Sequence, residues 1–286
     1  MTNDKPRLRI EIPTTRRGID NREAYRKFVA EGDKKEEPQT PTTKPFEFRN
    51  PDVVAQDYVR IPQLGKIISR FEVQGYNNLR WENTHFKLHE NGLYMPTIPE
   101  FMIHFCNVSD SYKSKGKKPL FDSAGNPLPQ NEVEDIYLHL TKNHIAAYGN
   151  GTSEGTWTQL DAKFSTNNGV MKFSSEHRTK IDSQTGNKSL VPSKVENLES
   201  CVAEDSFVGL EINRQGLPIQ KSKKQEYLQG QNIYFWYPRD KAVAWFYADS
   251  AGACLGCFRY PVDASSSLGV FAVLDGEARG QNGGAK

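Results

Sequence analysis

At about 150 residues per domain, the 286 residues make one large domain or two small ones. The chain is 36% hydrophobic and 25% charged, enough apolar material for a packed core, and its 37 Lys and Arg against 35 Asp and Glu show none of the basic excess of a general nucleic-acid binder. A mean hydropathy of -0.69 and the lack of any run of about 18 apolar residues exclude a membrane-spanning helix, and the opening MTNDKPRLRIEIP carries no apolar stretch of the kind a cleavable signal needs.

Residues 1–50 read as a loosely ordered arm or linker. They are rich in charge, hold Pro6, Pro13, Pro38, Pro41 and Pro45, and have too little apolar surface to offset ordering entropy. Arg22 to Val29 has the spacing of a short helix. From Val53 the texture changes, and Val59, Ile61, Ile67, Ile68 and Phe71 mark the start of an ordered domain over residues 51–276. His85 to Met95 reads as a β-hairpin around Asn91-Gly92, a pair suited to a two-residue turn. Thr97-Ile-Pro-Glu100 is a capping box with a proline in the first turn, and Phe101, Phe105, Val108 and Tyr112 continue one helical face, so a helix is expected over Pro99–Tyr112. A second is expected from Asn131 to Ala146, with Asn131 and Glu134 at capping-box spacing.

After Gly149 the pattern is β. The expected strands are Thr156–Phe164, Val170–Ser174, Phe207–Ile212, Ile233–Tyr237, Ala242–Ala248 and Leu268–Leu274, separated by turn clusters such as Asn167-Asn-Gly169 and Asp182–Gly186. Strands and helices do not alternate, which argues for an α+β domain. Residues 277–286 read as a flexible tail.

No complete catalytic constellation is visible: no nucleotide-binding glycine motif after a strand, no H-E-x-x-H and no G-x-S-x-G. Cys254 and Cys257 form a C-x-x-C, but their flanks are not helical and a zinc site would have to borrow His85 and His89 from far away, so the pair reads as two thiols on a strand or loop. Glu132, Glu134 and Asp135 read as a solvated first helical turn. His104, His139 and His144 read as surface or half-buried flanks, Lys221–Lys224 as a solvated loop, and Trp157 and Trp236 as core. No catalysis, cofactor or metal is expected.

One segment is unusual. From Phe246 to Gly276 the chain has no Lys, Glu, Gln, Met or Trp. None of these five can be encoded by a codon ending in a pyrimidine. Tyr247, Asp249, Ala251, Cys254, Gly256, Phe258 and Tyr260 alternate with Phe246, Ala248, Leu255 and Cys257, which suits a strand with an outer display face and an inner scaffold face.

The ending Ser266-Ser-Leu-Gly-Val-Phe-Ala272 resembles the closing strand of variable proteins of diversity-generating retroelements, of the archaeal and small-genome bacterial kind. In that family a reverse transcriptase copies a template with errors at adenines, so that AAY codons become NNY codons in the target gene. The resemblance implies a C-type lectin fold, two helices and then antiparallel β-sheets, with a variable segment at 245–267. It further implies a non-catalytic module that binds varied macromolecular, mainly protein, ligands. The expected ligand-binding residues are Tyr247, Asp249, Ala251, Gly252, Cys254, Gly256, Phe258, Arg259, Tyr260, Val262, Asp263 and Ala264, on one exposed surface. Neither nucleic acid nor membrane insertion is expected. The alternatives are a lectin-fold enzyme of the formylglycine-generating type and a structural virion component. The calcium-binding triplets of sugar-binding lectins are missing. Ligand, oligomeric state and compartment, whether virion or cytoplasm, stay open.

Overall fold

The computed structural model describes residues 55–142, 144 and 155–275. The expected N-terminal arm, its short helix and the C-terminal tail lie outside the described residues.

The described chain is α+β. Strands β1 (Tyr58–Ile61) and β2 (Lys66–Ser69) form a hairpin, followed by helices α1 (Trp81–Glu90), α2 (Ile98–Lys113) and α3 (Gln130–Thr141). Then come β3 (Trp157–Asn167), β4 (Val170–Ile181), β5 (Lys188–Asn197), β6 (Ser206–Gly209), β7 (Asn232–Trp236), β8 (Val243–Asp249), β9 (Gly252–Arg259) and β10 (Val273–Asp275). The strands make a three-stranded sheet, β1-β2-β10, and a seven-stranded sheet, β5-β4-β3-β8-β9-β7-β6. All pairings are antiparallel except β7 with β9. β10 returns to β2 with Val273 opposite Ile68, so the last described strand closes onto one of the first.

The main core lies between the large sheet and helices α2 and α3. Phe101, Phe105 and Val108 of α2 and Val133, Ile136 and Leu140 of α3 pack on Leu160, Phe164, Phe235, Phe246 and Leu255 of the sheet. The Phe101 and Phe246 rings lie 4.8 Å apart. A second core holds Trp81 and Leu88 of α1 against Ile67, Met95, Val270 and Leu274.

The capping box of α2 forms as its sequence suggests. Thr97 Oγ1 accepts the Glu100 N–H, and Glu100 Oε2 accepts the Thr97 N–H at 2.7 Å. The expected box at Asn131 does not form: α3 starts after Pro129 with no side-chain cap, and its helical geometry ends at Thr141 rather than Ala146. Pro129 already has the extended backbone that leads into a helix, so the start moves one residue earlier.

The expected hairpin over His85–Met95 is instead the end of helix α1. Trp81, Thr84, His85 and Leu88 are buried at helical spacing, a period that a strand cannot satisfy. The Asn91-Gly92 pair terminates the helix. Gly92 has φ +68°, its N–H donates to His89 O, and the Leu93 N–H donates to Leu88 O, the two bonds of a Schellman motif. Leu88 and Leu93 then pack together in the second core.

Three polar expectations also change. His104 is fully buried, its ring between Phe101 and Phe271, because helix α2 is covered on more than one side. His139 is buried and faces Glu72 Oε2 at 2.8 Å, while Asp135 is buried against His144. Glu132 pairs with Arg70 at 2.5 Å, which leaves Glu134 as the solvated member of the acidic cluster. Strand β5 was not foreseen. Pro192 and its many charges weaken the signal, yet both suit an edge strand, which is where it lies.

The capping box gives a direct check. Thr97→Ala should lower the stability of the folded chain by about 1 kcal/mol, read by chemical denaturation, with the denaturant slope unchanged.

Candidate functional site

Strands β8 and β9 form the centre of the large sheet, and their two faces differ. Phe246, Ala248, Leu255 and Cys257 point inward and are fully buried in the main core, as the period of two requires. The opposite face is paved with aromatic rings. Trp157 of β3, Trp245 and Tyr247 of β8, Phe258 of β9, Tyr234 and Trp236 of β7 and Phe207 of β6 form a continuous chain of ring contacts. Trp245 and Tyr247 are stacked with centroids 4.6 Å apart, and Trp157 and Tyr247 at 5.1 Å. None of these rings belongs to either core cluster, and all but Trp245 are half-exposed.

Strand register explains how the rings meet. β9 lies between β8 and β7, with Gly256 opposite Trp245 on one side and Trp236 on the other, and Cys254 opposite Tyr247 and Tyr234. The small side chains of β9 leave space into which the flanking rings lean. Trp236 Nε1–H donates to the Tyr247 hydroxyl at 3.2 Å, bridging over β9. A Cβ on Gly256 would meet Trp245 Nε1 at 2.1 Å, so the indole rests on bare backbone. The Arg259 guanidinium lies 5.3 Å from the Trp245 ring centre, within cation–π range. Burial lowers the Arg259 pKa from its ordinary value.

The expected ligand-binding residues divide into three groups. Ala251, Tyr260, Val262, Asp263 and Ala264 are exposed, with Tyr260 at 61% and Val262 at 63%. Tyr247, Asp249, Phe258 and Arg259 are half-buried. Gly252, Cys254 and Gly256 are buried, against expectation. The latter two point away from the main core, but the rings of β7 and β8 close over them, and Gly252 lies against the Tyr227 ring. The set is therefore a stripe with two exposed ends. One end is the β8–β9 turn, where Asp249 Oδ1 accepts the Ala251 N–H at 2.8 Å. The other is the loop after β9.

That loop is tied to α1. Pro261 O accepts the Trp81 N–H at 3.1 Å, taking one of the unpaired donors at the helix start, and Ser265 O accepts the Asn78 N–H at 3.0 Å. Tyr260 and Val262 thus stand out from a loop with a fixed base.

Trp157 and Trp236, read from sequence as core, belong to this outer face. The signal was present in Asn232-Ile-Tyr-Phe-Trp236: Ile233 and Phe235 fill the core, so the alternating Tyr234 and Trp236 must face the other way. Cys254 and Cys257, three residues apart on one strand, face opposite sides of β9, and both are free thiols. Burial pushes Cys254 up to about 11 and Cys257 well above its ordinary value, so neither is a ready nucleophile. Among the described residues one group has a donor set suited to a metal, His85, Asp161 and His177, and it lies between α1, β3 and β4. No helix among the described residues is long and apolar enough to cross a membrane.

Comparison of the chain with protein-family models, with curated proteins and with solved structures finds no match.

The contact at Gly256 is testable. Gly256→Ala should displace the Trp245 indole, seen as red-shifted tryptophan emission and altered near-ultraviolet circular dichroism. Ala251→Ser, in the exposed turn, should leave both spectra unchanged.

Proposed function

We propose that this protein is a non-catalytic binding module whose β8–β9 face and following loop recognise protein ligands. We propose further that it is a variable protein of a diversity-generating retroelement with a C-type lectin-like domain. The observation that carries the reading is a coincidence of two independent features. The segment lacking Lys, Glu, Gln, Met and Trp begins on β8, and it supplies Tyr247, Phe258, Arg259, Tyr260 and Val262 to a partly exposed aromatic face.

The chemistry supports recognition of protein surfaces. Tyr and Phe offer contact area at low entropy cost, and small residues such as Ala251, Asp263 and Ala264 adapt at the rim. The surface is broad rather than a deep pocket, which favours a macromolecule over a small molecule. Helices α2 and α3 ahead of the large sheet support the lectin-like assignment, while α1 is a third helix beyond the two that the resemblance implies. The absence of catalysis is supported by the C-x-x-C, whose thiols face opposite sides of the strand.

Sequencing the 3′ end of this gene across a natural population tests the proposal. The expected result is substitution concentrated in pyrimidine-ending codons between 246 and 267, with a downstream near-copy that differs at adenines. Substitutions spread evenly along the gene, with no such copy, would overturn it.

A further inference from the structure

A buried cluster of side chains lies apart from the aromatic face. His85 comes from α1, Asp161 from β3 and His177 from β4. Their exposures are 0%, 2% and 3%. Asp161 is the hub: Oδ1 is 2.5 Å from His177 Nδ1 and 3.6 Å from His85 Nε2, and Oδ2 accepts the His177 backbone N–H at 3.0 Å. One donor atom from each residue lies within 4.8 Å of the other two.

His85 is the informative member. It is fully buried, and neither ring nitrogen has a hydrogen-bond partner. Buried polar groups are ordinarily satisfied, so two bare nitrogens on one buried ring call for an explanation. Trp81 covers the cluster, its ring edge-on to His85 at 4.4 Å and to His177 at 4.9 Å. The indole wall offers these nitrogens no acceptor, and Asp161 Oδ1, at 3.6 Å from Nε2, stands beyond hydrogen-bond distance. A neutral imidazole offers one lone pair, and it is through such a lone pair that histidine ligates a metal.

We propose that His85, Asp161 and His177 bind one divalent transition ion of the zinc class. Two imidazoles and one carboxylate suit such an ion, whereas calcium and magnesium prefer oxygen-only sets. Bonds of about 2.0–2.2 Å require only that the His177–Asp161 pair open slightly and the His85 ring draw in. Asp161 then neutralises part of the ion's charge, and one lone pair of His85 gains its missing partner. The role is structural. The ion ties α1 to the β3–β4 hairpin, and α1 in turn holds the loop after β9 through the Trp81 N–H bond to Pro261 O. The cluster stands whether or not the outer face is a recognition surface.

The test uses the full chain without a polyhistidine tag. The chain is incubated with excess zinc sulfate, passed through gel filtration with a weak chelator, and analysed for metal by mass spectrometry. About one zinc per chain is expected, with a melting temperature that falls when a strong chelator strips the ion. His85→Gln should lose the metal, and His144→Gln, outside the cluster, should keep it. Because His85→Gln carries a risk of misfolding, cobalt(II) loading of the unaltered chain gives a second readout. It should produce visible d–d absorption that one equivalent of zinc abolishes. A folded chain that retains less than about one-tenth of an equivalent of zinc and shows no cobalt spectrum overturns the proposal, and so does a folded His85→Gln variant that binds as much metal as the unaltered chain.

Discussion

The outer face of the large sheet depends on the close approach of the Trp245 indole to the Gly256 backbone. A side chain at 256 would occupy the ring's place. With glycine there, and Cys254 two residues before it, β9 becomes a shallow trough between the aromatic strands β8 and β7. Rings from both sides fill it, and the Trp236–Tyr247 hydrogen bond joins them above it. Each aromatic contact contributes on the order of 1 kcal/mol beyond simple burial, so the face stiffens as well as displays. The same central hairpin supplies the main core on its other side through Phe246 and Leu255.

A two-sided hairpin divides labour along the chain. Inward positions are fixed by packing density, because an interior tolerates little change in volume. Outward positions under the rings are fixed by contact, and only the turn before β9 and the loop after it are free of both constraints. The exposed turn at Ala251 and the exposed loop from Tyr260 to Ala264 therefore carry the freedom that the proposed recognition surface needs. The loop keeps a defined base because its carbonyls accept hydrogen bonds from the backbone around the start of α1. Rigidity at the base limits the ordering entropy that the proposed binding would have to offset.

Much of this was legible in the sequence, and the failures have physical causes. The α2 capping box and the inward register of β8 and β9 follow from local signals. The Asn-Gly pairs show why such signals run out. Asn168-Gly169 turns a hairpin with both residues at positive φ, whereas Asn91-Gly92 ends a helix. The dipeptide is the same, and the preceding period decides, helical from Trp81 to Leu88 and alternating at Leu160, Ala162 and Phe164 of β3. Burial of Gly252, Cys254 and Gly256 was illegible because it comes from rings brought in by tertiary packing, Tyr227 of the loop before β7 over Gly252 and the rings of β7 and β8 over the other two. The His85–Asp161–His177 cluster was hidden for the same reason: its members are brought together by tertiary packing of α1 on the β3–β4 hairpin.

The central claim is that this face joins a fixed scaffold to changeable ends. Saturation mutagenesis of residues 245–267, scored by protease resistance of the displayed chain, tests it most directly. The account predicts that Ala251, Tyr260, Val262, Asp263 and Ala264 accept nearly every residue type, while Phe246, Leu255 and Gly256 accept few. If Tyr260, Val262 and their neighbours prove as intolerant as Phe246, the exposed ends are structural and the account is contradicted.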